Sequence, residues 1–122
     1  MRVNRDETEM TPGLVVVHNG QPFTGELVDV AADGTVTGLT TYRDGIEDGP
    51  QWERYPDGRP QLEGQCDYGS AVGEWREWHP NGQLSEHTVF DRWGDVRRRQ
   101  RWDEDGTLTD DETSDGAHGG EW

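Results

Sequence analysis

The sequence predicts an all-β protein: an antiparallel meander of repeated β-hairpins, forming a mostly single-layer twisted sheet. Three observations carry this. Asp-Gly or Asn-Gly pairs end at Gly34, Gly58, Gly82 and Gly106, a spacing of 24 residues three times over, and a fixed period of that length marks a repeat architecture. The runs beside these turns, 52–55 and 75–79 before and 62–68 and 84–90 after, are short and rich in strand-favouring residues. The glycines that open the units follow the same step, Gly25, Gly49 and Gly73, until Arg97 takes the next position.

Each unit reads as one hairpin. In Pro56-Asp57-Gly58 and Pro80-Asn81-Gly82, Pro presets φ, Asp or Asn bonds its own backbone, and Gly accepts a positive φ without strain. A second turn, expected over 45–49 (GIEDG) and 69–73 (GSAVG), leads into the next unit. The two-residue alternation of a strand then assigns faces. Gln51, Glu53 and Tyr55 share a face with Trp75, Glu77 and His79, whereas Trp52 and Arg54 point the other way with Arg76, Trp78 and Trp102. Val36, Leu84 and Leu108 recur at one position, and Tyr42, Cys66 and Phe90 at another. Both faces also carry charge, so stability is expected from stacked aromatics, with Trp52, Trp78 and Trp102 as structural residues beside the turn glycines.

In chain order, residues 1–13 are charged and read as an N-terminal arm or a capping strand. Residues 14–112 form one repeat domain. Its first strand, at 14–17, contains Val15-Val16-Val17 and needs to be covered or paired. Residues 113–122, ending in Trp122, have the composition of an acidic, disordered tail. The overall composition, 29% hydrophobic with a net charge of −15, resembles that of a disordered chain. The six Trp and the regular repeat argue for order instead, because repeat units bury surface against their neighbours. No stretch reads as a signal peptide or a transmembrane span, and a cytoplasmic location is expected.

The residues give little support to catalysis or cofactor binding. Cys66 is the sole cysteine, which excludes an intrachain disulfide and a thiolate zinc cluster; it reads as a buried structural thiol. His18, His79, His87 and His118 lack ligand spacing. Counting Arg101 as position one, Asp103, Asp105, Gly106, Leu108 and Glu112 fall at calcium-loop positions three, five, six, eight and twelve. A cation at position one and the lack of flanking helices argue against calcium. No enzyme activity, metal or cofactor is expected.

Charge is more informative. Asp29, Glu53 and Glu77 recur on one face, and Arg101 ends the column. Positions two strands apart lie roughly 9.5 Å from each other, about one Debye length at physiological salt. The column is therefore expected to build a broad negative field rather than pair. Such a field disfavours direct nucleic-acid or membrane binding and draws in a basic partner.

The repeats resemble those of MORN-repeat-variant proteins of the bacterial antitoxin type. Tyr42-Arg43-Asp44-Gly45, Gly49, Trp52, Tyr55-Pro56-Asp57-Gly58 and Leu62 carry the pattern. It recurs as Asp67-Tyr68-Gly69, Gly73, Trp75, Trp78-His79-Pro80-Asn81-Gly82 and Leu84, and Pro22-Phe23-Thr24-Gly25 is similar to the opening repeat. The resemblance spans residues 14–112. It implies a non-enzymatic antitoxin or immunity protein that neutralises a cognate, basic, nucleic-acid-acting toxin. A general interaction scaffold of the MORN class, possibly membrane-associated, is the alternative. The expected partner-binding residues are Glu53, Tyr55, Trp75, Glu77 and His79, and the face with Trp52, Arg54, Arg76 and Trp78 is the competitor.

Overall fold

The computed structural model describes residues 1–13 and 15–114. The prediction for Trp122, and most of the tail assignment, lies outside them. Twelve strands are present among these residues: β1 (Arg2–Asn4), β2 (Glu9–Met10), β3 (Val16–His18), β4 (Gln21–Pro22), β5 (Gly25–Val30), β6 (Val36–Arg43), β7 (Ile46–Arg54), β8 (Pro60–Asp67), β9 (Ser70–Trp78), β10 (Leu84–Phe90), β11 (Val96–Trp102) and β12 (Leu108–Thr113). The helix among them is one 3-10 turn, Arg5–Glu7. From β5 to β12 the chain forms an antiparallel meander in sequence order, and β1 adds to its first edge in parallel with β5. The resulting nine-stranded sheet is open, and β2, β3 and β4 make a second, three-stranded sheet. The all-β hairpin-repeat reading matches this architecture.

The predicted turns close as hairpins at Gly34, Gly58, Gly82 and Gly106, and all four share one geometry. In residues 55–59, Tyr55 N donates to Arg59 O at 2.9 Å and Gly58 N donates back to Tyr55 O at 2.8 Å. The same pair of bonds closes 31–35, 79–83 and 103–107. Gly58 sits at φ +91, and a Cβ there would meet nothing within 4 Å, so the glycine is required for its backbone angle alone. The side chain before the glycine locks the turn: Asp33, Asp57 and Asn81 each accept from the second amide after them at 2.9 Å. In the last turn Asp103, at the first position, accepts instead from the amides of Asp105 and Thr107.

The second set of turns differs from the sequence expectation. They lie at Asp44-Gly45 and Tyr68-Gly69, two-residue tips in which Asp44 (φ 52) and Tyr68 (φ 47) join their glycines at positive φ. Gly49 and Gly73, expected at the far end of these turns, sit inside β7 and β9 at φ 118 and 70. There the ladder skips: Thr40 pairs with Gln51 and Tyr42 with Glu47, so three residues of β7 stand opposite Thr41. These glycines supply β-bulges rather than turn ends. The position of Arg97 follows from this. The β10–β11 connection is a five-residue turn over 91–95 of the kind described above, with Gly94 at φ 87. That wider turn takes up chain that the bulge absorbs elsewhere, and only Arg97 is left over between the Val89–Arg98 and Phe90–Val96 pairs. The Arg97 side chain is buried beside Asp91, 3.9 Å away, and its Nε donates to Ser114 O at 3.0 Å. The last hairpin therefore closes at Gly106 although Arg97 stands where the other units have their opening glycine.

The closest approach to a two-layer core lies at the N-terminal end. Val3, Val16, Phe23, Leu27 and Tyr42 are buried together, with the Phe23 ring 6.1 Å from that of Tyr42. Val16 N donates to Gly45 O and Gly45 N donates to Phe23 O, which ties the small sheet to the β6–β7 tip. The Val-rich strand is paired on both sides, by β2 and β4. Beyond β7 the sheet is thin, and Trp52, Trp75, Trp78 and Trp102 are all half-buried strand residues.

Gly58→Val is expected to destabilise the protein by roughly 1–3 kcal/mol through backbone strain alone, and Gly58→Asn by much less. Thermal melting of both variants checks this; equal melting temperatures would remove the turn from the account.

Candidate functional site

The five-residue turns fix register, and register builds the site. Across each of them a strand residue faces the residue nine positions on: Asp29 opposite Gly38, Glu53 opposite Leu62, Glu77 opposite Glu86 and Arg101 opposite Asp110. The remaining pairs, Gly38–Glu53, Leu62–Glu77 and Glu86–Arg101, join these into one row across the sheet. One step along the strands, Trp75 stands opposite Thr88, and Thr88 opposite Arg99. Glu53, Trp75 and Glu77 thus share a face, as the alternation predicts.

Trp75 shapes this face. A Cβ on Gly64 would lie 2.1 Å from the indole, so the ring rests directly on the neighbouring backbone. Its Nε1 donates to Gln65 O at 3.1 Å, and its ring meets Phe90 edge-on, with centroids 6.4 Å apart and planes at 78°. Beside it runs a groove of about 330 Å³, lined by Leu62, Trp75, Thr88 and Phe90 and by three charged side chains, Glu77, Glu86 and Arg99.

The two groove carboxyls hold each other. Glu77 is pushed up to about 7, first by its hydrogen bond with Glu86, then by partial burial and by the charges of Glu86 and Glu53. Glu86 moves the opposite way, held ionised by that same bond and by Arg101, whose Nε lies 2.9 Å from it. Arg99 Nε is 3.5 Å from the same oxygen. The column expected to be unpaired is therefore partly paired: Asp29 is bound by Arg5 at 2.6 Å, and Glu77 shares a proton with Glu86. The sequence reading overlooked Glu86 because it compared positions one repeat apart and did not look across the turn, where the nine-residue offset would have placed it.

Tyr55 and His79 have a different role. Tyr55 Oη donates to Trp78 O at 2.6 Å, and His79 Nε2 lies 2.8 Å from Trp102 O, so that nitrogen carries the proton. Arg59 to Pro80 O and Asn81 to Glu104 O extend this ladder from each turn to the next. The structure places Trp75 and Glu77 on the groove, sets Glu53 on the same face in line with Glu77 across Leu62, and puts Tyr55 and His79 in the ladder that aligns the turns.

Much of the opposite face is paired within itself. Arg54 stacks on Trp52 at 4.1 Å, Glu74 takes Arg76 and His87, both at 3.2 Å, and Arg98 binds Asp111 at 3.0 Å. Cys66 is buried, accepting from Gln51 and donating to Glu47; burial first, then Glu47, pushes its thiol up to about 12, so it stays protonated and unreactive. Among the described residues no group of three or more His, Cys, Asp or Glu side chains is placed to hold a metal ion. No helix among them is long and apolar enough to cross a membrane.

No protein-family model matches the chain, and no curated protein matches it. Among solved structures, a chain from accessory secretory protein 1, 2 and 3 of Streptococcus pneumoniae is similar at 17% identity with a TM-score of 0.30. The match covers 81% of this chain and 18% of that one. A likeness at that level carries no argument about function.

The Glu77–Glu86 pair makes stability depend on pH. Glu77 binds its proton more tightly folded than unfolded, so its contribution is present in acid and is lost as pH rises through about 7. Glu86 works in the opposite sense, losing its contribution as pH falls. Glu77→Gln keeps a neutral hydrogen-bonding partner for Glu86 at every pH. It is expected to raise the melting temperature at pH 8 and leave it unchanged at pH 5; a variant that melts lower at pH 8 would contradict the shared proton.

Proposed function

We propose that the chain is a protein-binding module of the antitoxin or immunity kind: a non-enzymatic cytoplasmic protein that captures a basic, nucleic-acid-acting toxin on the face carrying Glu53, Trp75 and Glu77. The observation that carries this reading is the groove itself, walled by Trp75 and Phe90 with two carboxyls, Glu77 and Glu86, against one arginine, Arg99, in a chain of net charge −15. Aromatics seated in a pocket supply most of the affinity of a protein interface, and charges at the rim mainly speed association. A toxin that works on nucleic acid needs a basic cleft, and the net charge of this chain is complementary to one. The resemblance of the repeats to MORN-variant antitoxins supports the same partner class. On the opposite face Glu74, Arg76, His87, Arg98 and Asp111 are already paired, which makes it the weaker candidate.

The test is to look for a toxin reading frame beside this gene and to measure surface-plasmon kinetics against its product at two salt concentrations; a locus without such a frame counts against the reading. Glu53→Gln combined with Glu77→Gln is expected to slow association about tenfold at low salt and to flatten its salt dependence. Trp75→Ala is expected to speed dissociation about thirtyfold, as loss of an anchor of about 2 kcal/mol does, with its melting temperature measured alongside to separate binding from folding. If the Glu variants bind like wild type while Trp52 or Trp78 variants lose binding, the partner sits on the other face.

A further inference from the structure

One carboxyl in the groove lacks a cation. Along the row that crosses the sheet, Asp29 is gripped by both prongs of Arg5, Nε to Oδ1 at 2.6 Å and Nη2 to Oδ2 at 3.1 Å. Glu86 has Arg101 and Arg99. Among the described residues neither Glu53 nor Glu77 forms an ion pair. The groups around Glu77 are Glu53 on β7, the uncharged Leu62 on β8, Glu86 on β10, Arg99 and Arg101 on β11, and Asp110 on β12. Arg99 lines the groove itself, but on its β11 side against Glu86, where Arg101 also lies. That leaves the β7–β9 side with Glu53 and Glu77 and, among the described residues, no cation paired to either.

Resting on the partner-binding reading above, we propose that this groove is a socket for one arginine side chain of the partner protein, its guanidinium between Glu53 and Glu77 and its alkyl stem across Leu62 and Trp75. The size fits one long side chain, since about 330 Å³ is at the small end of ligand pockets. The chemistry selects arginine. A planar guanidinium stacks on an indole and offers paired donors to carboxylates, whereas an ammonium is a point charge. Both halves of that contact already exist within this sheet: the two-pronged grip of Arg5 on Asp29, and Arg54 stacked on Trp52 at 4.1 Å.

A proton follows the arginine. Free Glu77 keeps its proton up to about 7 because of Glu86, burial and Glu53. A guanidinium seated against it favours the ionised carboxylate, so docking expels the proton to solvent and tightens as pH rises.

The experiment uses the full chain and three capped tetrapeptides, Gly-X-Leu-Gly, with X as arginine, its neutral isostere citrulline, or lysine. NMR follows the Trp75 indole N–H and the Glu77 carboxyl carbon across pH. The arginine peptide is expected to shift both signals, to lower the Glu77 midpoint by about one unit, and to bind about fivefold tighter at pH 8 than at pH 6. Glu77→Gln is expected to weaken it at least tenfold, and Glu63→Gln, on the other face, to leave it unchanged. Equal binding of the citrulline or lysine peptide, or an unmoved Glu77 midpoint, overturns the socket. The neighbouring toxin separates the two readings. If it binds while the Glu77 midpoint stays fixed, the partner reading stands and the socket falls. If the arginine peptide seats but no such toxin binds, the socket stands and the toxin reading falls.

Discussion

The five-residue turn governs this molecule because it sets which residues face each other across the sheet. Each copy puts a glycine at positive φ, closes with the same two backbone bonds, and leaves its flanking strands offset by nine residues. The offset decides that Glu77 faces Glu86 and that Glu53 faces Leu62. A one-residue slip would send every side chain on a strand to the other face. In a protein with a large core, buried surface would correct such a slip; here the described core is a small cluster at one end, so turn chemistry has to hold the register. The bonds that run from one turn to the next, through Tyr55, Arg59, His79 and Asn81, stack the turns in line and reinforce it.

A sheet without a full second layer must satisfy its aromatics sideways. Trp75 does this by lying flat on Gly64 and meeting Phe90 edge-on. That posture makes the groove, because a ring lying along the sheet raises a wall beside the strand it does not cover. Structure and proposed binding thus share one cause. The register also sets Glu77 against Glu86, and their hydrogen bond, ahead of partial burial, is what pushes Glu77 up to about 7. At the other end the chain covers its sheet with β2, β3 and β4, and Tyr42, Leu27 and Phe23 become buried.

The legible part of the fold was the part written in Asp-Gly and Asn-Gly pairs, since few residues besides glycine tolerate the angle that Gly58 and Gly82 adopt. The bulges were harder. Gly49 and Gly73 look like turn glycines in sequence, and nothing local separates a positive φ in a turn from one in mid-strand. The turn at 91–95 was hidden because Gly94 falls out of step with the period. For residues 1–13 the sequence leaves an arm and a capping strand as alternatives; β1 takes the strand by backbone pairing to β5, with Val3 as its buried residue. For the site, alternation correctly grouped Glu53, Trp75 and Glu77. Tyr55 and His79 share that alternation, but they lie at the turn, where the backbone curls and their polar atoms reach the next unit. Glu86 and Phe90 entered only when residues were compared across the turn.

The account stands on Trp75 seated on Gly64 in the register that the turns impose. A double-mutant cycle measures this contact most directly. Gly64→Ala in the wild-type chain forces a methyl into the indole and should cost about 1–3 kcal/mol in denaturant unfolding. In a Trp75→Ala background the same change should be neutral or stabilising, because alanine suits a strand interior better than glycine. An equal cost in both backgrounds would mean that the ring does not lie on Gly64, and the register, the groove and the carboxyl pair would fall together.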